Sequence, residues 1–481
     1  METLSQQQLD EVIRSTPEIG LQTYEFFNGD KELREEAKDA FLADSVRNPI
    51  VDYPFLQPEI VQPKYDAISR VYLNVIEAEG LSEESYLAYE GTVGYRLHEA
   101  QMLLQACAMN AVEIQSVDFT YSATGYQRSN ESLYGMVNDQ IVGGIIRELR
   151  SMVDTDDLAG LAKDLYEEIE DILFDGLDYD PSQTAKLPVL SEEARGYLAE
   201  KIKRHYKTEK AAVDVIGQRL SVEGRDAFEP EDIRDTFLQV IKDRRYEGII
   251  GAYIDSGSLL SWSQERKGVI IGDARKPIKG VEDVYGISVH EEGVHGQRFI
   301  NGRSSDIPVL GNGLYVSDGS SENTDYLAFE EGIATLYQSI AAGKKDGWTI
   351  ANFTHTLNLA LAYKGKDFRD VYEANWKLRA VLRAKDGLID EALHPSIKST
   401  AYDSVLRVFR GTPIHRTPDL DMPLTYNKDL AYLRGRISAI NFWNQNAGND
   451  TMFDFVLAGK FDPTNKVQRA IAHTATRGVY E

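Results

Sequence analysis

The sequence predicts a predominantly helical α+β protein. Three observations predict it. Apolar residues recur at helical spacing through most of the first half. Two short runs rich in aromatic or β-branched residues, LLSWSQ and GVIIGD, occupy residues 259–273. Helical spacing returns directly after them. With 481 residues, 42% of them hydrophobic, the chain has enough apolar material to bury a large core.

The elements follow in order. Residues 5–44 alternate polar and apolar positions with helical period. Pro49, Pro54, Pro58 and Pro63 then predict an extended connection, because proline removes a backbone donor. AISRVYLNVIEAEG (67–80) is helical and stops at a glycine, and residues 82–114 hold one or two long helices. Residues 154–182 are strongly acidic and predict an exposed helix followed by a loop. A regional boundary is placed near 185, giving a helical N-terminal region (1–185) and a second region (186–481). Helical patterns cover 190–206 and 230–245. LLSWSQ and GVIIGD are expected to be adjacent strands joined by the turn ERKG.

The next stretch, VEDVYGISVHEEGVHGQRFI, is helical in pattern and contains HEEGVH (290–295). A catalytic zinc takes three protein ligands and keeps one open position. Histidines four apart share a helix face. Here His290 and His295 are five apart, a 140° offset on an ideal α-helix. A π-bulge restores a common face, and Gly293 inside the interval eases it. Glu291 follows His290 directly, and in the zincin arrangement that position is the general base that takes a proton from the attacking water. A strand leading into a histidine-bearing helix is the order of the zincin peptidases. The segment therefore predicts a zincin-like catalytic core with a small sheet whose edge strand binds peptide by β-addition. The third ligand is expected from YLAFEEGIATLYQ (326–338). Glu331 is the candidate, Glu330 is its supporting neighbour or an alternate ligand, and Gly332 and Ala334 permit close helix packing. His98, His205, His355, His394, His415 and His473 are isolated and read as ordinary surface or core residues.

Charge and cysteine content narrow the classes. The 77 acidic and 52 basic side chains leave a net charge of -25, which argues against nucleic acid and anionic membrane surfaces as partners. Cys107 is the single cysteine, so no intramolecular disulfide forms and a zinc site must use His, Asp or Glu. Its apolar helical surroundings, LLQACAMNAV, read as those of a buried, inert thiol. METLSQQQLDEVIRS carries acids and no apolar stretch, and no run approaches the roughly 18 apolar residues of a membrane span. A cytoplasmic location is expected.

These motifs resemble those of the zinc peptidases that include the microtubule-associated tyrosine carboxypeptidases and many bacterial relatives. That family carries H-E-x-x-x-H-x-x-R, then T-E-E-G-L-A, R-x-x-R-G and K-D-x-x-Y-L-x-G. This chain has His290, Glu291, His295 and Arg298, then FEEGIA (329–334), RVFRG (407–411) and KDLAYLRG (428–435). SLYG (132–135) matches upstream. Val294 and Phe329 replace two threonines of the pattern. The resemblance implies a zinc carboxypeptidase in which His290, His295 and Glu331 hold Zn2+ and Glu291 is the base. In known members the residue released is a C-terminal tyrosine; here the expectation is a tyrosine or another aromatic residue from a peptide or protein C-terminus.

A carboxypeptidase must also hold the free α-carboxylate, best with a bidentate arginine. Arg298, Arg407, Arg410 and Lys428 are the candidates, each with pairing to a buried acid as its alternative role. Tyr432 is a candidate oxyanion donor, and core packing is its alternative. The basic run ARKPIKG (274–280) is either a steering element or a solvated loop. Two other readings stay open: an endopeptidase or aminopeptidase with the same metal site, and an inactive helical interaction scaffold.

Overall fold

The computed structural model describes residues 4–27, 31–112, 116–175, 177, 184–256, 260–317, 319, 325–344, 348–384, 388–416 and 423–477. Helices dominate, and their ends explain them. Residues Gln6–Ser15 begin with a capping box between Ser5 and Gln8. Helix α1 (Pro58–Ile76) opens on Pro58, where the missing N–H costs nothing, and carries Pro63 within it. The extended connection expected to run through both prolines therefore ends at Gln57. Helix α2 (Glu83–Ala111) is capped by Ser82, with Glu83 and Glu84 in its first turn. Helix α3 (Val117–Tyr134) returns beside it and stops at Gly135, the glycine of SLYG.

The acidic stretch is not only a solvated face. Its helix, Leu161–Ile169, turns Leu165 and Ile169 inward to join Leu173 and Leu177 in a core cluster. Part of that stretch lies outside the described residues. Helix α4 (Glu192–His205) has Ser191 as its cap, Glu192 and Glu193 in the first turn, and Lys203, Arg204 and His205 in the last, matching the helix dipole at both ends. The chain then turns at Tyr206 into α5 (Lys207–Val222), and α6 (Pro230–Asp243) follows.

Short strands come next. β1 (Ala227–Phe228) pairs antiparallel with β5 (Ile278–Lys279). β2 (Gly251–Asp255), β3 (Leu260–Ser263) and β4 (Gly268–Gly272) form a sheet in the order β2-β4-β3. β3 and β4 are the expected hairpin, with Trp262 opposite Val269. The parallel strand β2 on the far side of β4 was not legible as a strand. β3 is left as an edge.

Helix α7 (Val281–Ser288) runs on through a π-helical stretch, Val289–Gly296, into α8 (Gln297–Arg303). The π form occurs across HEEGVH. Helix α9 (Leu327–Ala341) carries FEEGIA, α10 (His394–Val408) leads into RVFRG, and α11 (Leu430–Asn446) carries YLRG. Helices α9 and α11 cross glycine on glycine. A Cβ on Gly332 would lie 2.0 Å from the Gly435 carbonyl oxygen, so only glycine allows this approach. Two separated motifs thus meet at one crossing. SLYG joins them, because Arg434 Nη1 donates to the Tyr134 carbonyl at 3.0 Å.

The core does not divide at residue 185. One cluster joins Leu9, Val71, Leu103 and Tyr126 to Leu310 and Phe461. Another joins Phe41, Ile145 and Leu165 to Phe368 and Leu433. Only the third, around Leu198, Phe237, Val289 and Trp443, is drawn from residues beyond 189. Apolar positions of α2 and α3 are covered by late parts of the chain, which a linear reading cannot pair. Among the described residues, no helix is long and apolar enough to cross a membrane.

Candidate metal centre and its cavity

The π turn sets His290 and His295 on one face, with ring centroids 4.9 Å apart. Helix α9 brings Glu331 to the same point. His290 Nε2 lies 3.9 Å from Glu331 Oε2, and His295 Nε2 lies 3.9 Å from Glu331 Oε1. One ligand atom from each residue falls within 4.8 Å of the other two. A tetrahedral zinc with bonds of roughly 2.0–2.2 Å sets its ligands about 3.3–3.6 Å apart, so each 3.9 Å approach to a Glu331 oxygen is a few tenths of an ångström wider than a bound ion would set it.

The opposite ring nitrogens are already engaged. His290 Nδ1 bonds Gln338 Oε1 at 2.8 Å and His295 Nδ1 bonds Glu330 Oε1 at 2.7 Å. With Nδ1 donating, each Nε2 lone pair faces the gap, which is the arrangement a metal-ligating histidine needs. Burial pushes the His290 pKa down to about 3, so its ring stays neutral. Burial opposes charge on His295 as well, but its hydrogen bond to Glu330 and the charges of Glu330, Glu331 and Glu291 together outweigh that and raise its pKa.

Glu330 supports the centre from behind. Its Oε1 also takes Lys460 Nζ at 2.7 Å, and its Oε2 takes Arg298 Nη1 at 2.9 Å. Both oxygens are occupied by donors, so Glu330 orients His295 rather than standing as an alternate ligand. Burial works against its ionisation, yet Lys460, Arg298 and His295 together hold its pKa well below the usual carboxylate range.

Arg298 is fully buried, at 0% exposure, and does not line the cavity. Besides Glu330 it donates to the carbonyls of Gly459 (2.6 Å) and Phe461. Those contacts use its donor fork, and this corrects its candidacy for the substrate carboxylate.

Glu291 is buried beside His290 and His295, with Oε1 4.0 Å from His290 Nε2. Burial pushes its pKa up to about 7, while a hydrogen bond from the Trp262 backbone N–H of β3 favours the ionised form. A divalent cation beside it would pull the value back down.

A cavity of about 440 Å³ opens over these groups. Arg407, Arg410, Lys428 and Tyr432 line it. Arg407 is committed to Asp429, with Nη2 2.8 Å from Oδ1, so RVFRG and KDLAYLRG pair with each other here. That use disfavours Arg407 as a carboxylate clamp. Among the described residues, the Arg410 and Lys428 side chains have no acid within 4.0 Å, and Lys428 Nζ rests 5.1 Å over the Tyr24 ring. The charge of nearby Glu331 is the leading reason that the Tyr432 phenol pKa is raised.

Several contributors carried no readable sequence signal. Lys460 lies in an apolar stretch. Tyr24, Tyr95, Arg96 and Glu99 reach the cavity from the N-terminal helical region. Arg96 and Glu99 form a buried pair at 2.6 Å, and Tyr95 stacks on Tyr315 at 3.5 Å. Gln338 had a usable signal, since seven residues after Glu331 is two turns along the same face. Arg275, of the basic run, also lines the cavity.

The model of the family described as microtubule-associated tyrosine carboxypeptidase matches residues 280–481. The match covers the π turn, FEEGIA, RVFRG and KDLAYLRG. No curated protein and no solved structure matches the chain.

Proposed function

We propose, from the match of residues 280–481 to the model of the microtubule-associated tyrosine carboxypeptidase family, that this chain is a zinc-dependent carboxypeptidase with a zincin-like centre. One observation carries the reading: two imidazoles and a carboxylate converge within 4.8 Å, beside a second buried carboxylate, in a cavity that also holds Arg410 and Lys428. When bound by His290, His295 and Glu331, zinc lowers the pKa of a water to about 7 and polarises the scissile carbonyl.

The chain's own groups do the rest. Glu291, held by the Trp262 N–H, accepts the proton of the attacking water and delivers it to the leaving amide nitrogen. Tyr432 donates to the oxygen on which negative charge develops. The edge strand β3, whose Leu260, Ser261 and Trp262 line the cavity, aligns the peptide backbone. Arg410 and Lys428 hold the terminal α-carboxylate. The tyrosines of the N-terminal region, Tyr24 and Tyr95, line the same cavity and suit an aromatic terminal side chain. An inactive scaffold would have no use for an acid buried at the position of Glu291.

Paired peptides with free and amidated C-termini test this. The free acids should be shortened by one residue. Amidation should lower kcat/KM by about 30-fold or more, because losing a buried charge partner costs about 2 kcal/mol or more. Arg410→Ala should erase most of that difference. Equal rates on amidated and free peptides would make the enzyme an endopeptidase.

A further inference from the structure

Two histidines five residues apart share a face only while the intervening turn is π-helical, and the π form is the rarer state of a helix. Groups packed behind the turn come from upstream of residue 280, outside the family match. Tyr206, at the corner between α4 and α5, is fully buried. Its ring occupies the space a side chain at 293 would need: a Cβ on Gly293 would lie 2.6 Å from Tyr206 Cε1. Its hydroxyl donates to the Gly293 carbonyl at 3.1 Å. His205 bonds Gln297, at the end of the turn, at 3.0 Å. Arg244 bonds Glu209 of α5 at 2.7 Å and stands 3.8 Å from Glu292, the buried third residue of HEEGVH.

We propose that Tyr206, backed by the Glu209–Arg244–Glu292 cluster, is a positioning residue that holds HEEGVH in its π form and so keeps His290 and His295 at ligating distance from Glu331. The ring on Gly293 fixes where the widened backbone lies, and the hydroxyl satisfies a carbonyl inside the ligand interval. An α-helical relaxation of the turn would swing the two imidazoles about 140° apart. This inference rests on the metal reading above.

The test is a zinc competition titration against a chromophoric chelator on the full chain, with thermal unfolding of the metal-free protein alongside. Tyr206→Phe should weaken zinc about tenfold and Gly293→Ala closer to a hundredfold, the range for groups that orient metal ligands. Tyr89→Phe is the control, because Tyr89 is as buried as Tyr206 and its hydroxyl bonds Asp10 at 2.5 Å rather than a residue of the turn. It should lower the melting temperature at least as much as Tyr206→Phe and leave zinc affinity unchanged. Wild-type affinity in Tyr206→Phe overturns the proposal even if Gly293→Ala fails to fold, and so does an equal loss in Tyr89→Phe. A wild-type protein that binds no zinc overturns the metal reading and this inference together; tight wild-type binding that survives both substitutions overturns this inference alone.

Discussion

Replacement of Glu291 by glutamine is expected to leave zinc content at the wild-type level and to lower kcat by about a hundred- to ten-thousandfold. The amide has nearly the same shape and can still accept the Trp262 N–H on its oxygen, so the π turn has no reason to move. It cannot accept a proton at neutral pH. The attacking water then keeps its proton, and the leaving nitrogen receives none. Steady-state kinetics with metal analysis on the same sample separates the two effects. Turnover within a few-fold of wild type would remove Glu291 from the chemistry, whatever its position.

Arg298→Met should be the most destabilising single change near the site. Arg298 and Glu330 are both buried, at 0% and 1% exposure, and the guanidinium also satisfies the carbonyls of Gly459 and Phe461. Methionine fills much of the volume but leaves a buried carboxylate and two carbonyls short of donors. Breaking a buried pair in this way costs about 3–5 kcal/mol. The lower end applies, because Lys460 still bonds Glu330 at 2.7 Å. Denaturant unfolding of the metal-free protein gives the number. Zinc affinity should drop as well, since Glu330 orients His295. A loss below about 1 kcal/mol would mean that Arg298 does not anchor this cluster.

The convergence of His290, His295 and Glu331 was legible because it rests largely on local geometry. Five-residue spacing with a glycine inside required a π turn, and the turn is present. Glu331 was legible because Gly332 and Ala334 beside it let its helix pack closely against another. Arg298 stood with two roles open for a physical reason: an arginine one turn past His295 can face substrate or pair with a buried acid, and it pairs with Glu330. The choice is made by carbonyls at residues 459 and 461, more than 150 positions away. Lys460 and the Arg96–Glu99 pair were illegible on the same ground. Their roles arise from burial against distant segments, which periodicity does not encode. Pro63 was read as a break, although tertiary packing of Val61, Ile68 and Val71 carries the helix through it.

The central claim is tested most directly by the zinc content of purified protein, wild type beside His290→Ala. The account predicts stoichiometric zinc in the wild type, removable by chelator with loss of activity, and near-zero zinc in the variant. Wild-type protein that takes up no zinc under saturating conditions, or a variant that retains it fully, would contradict the account.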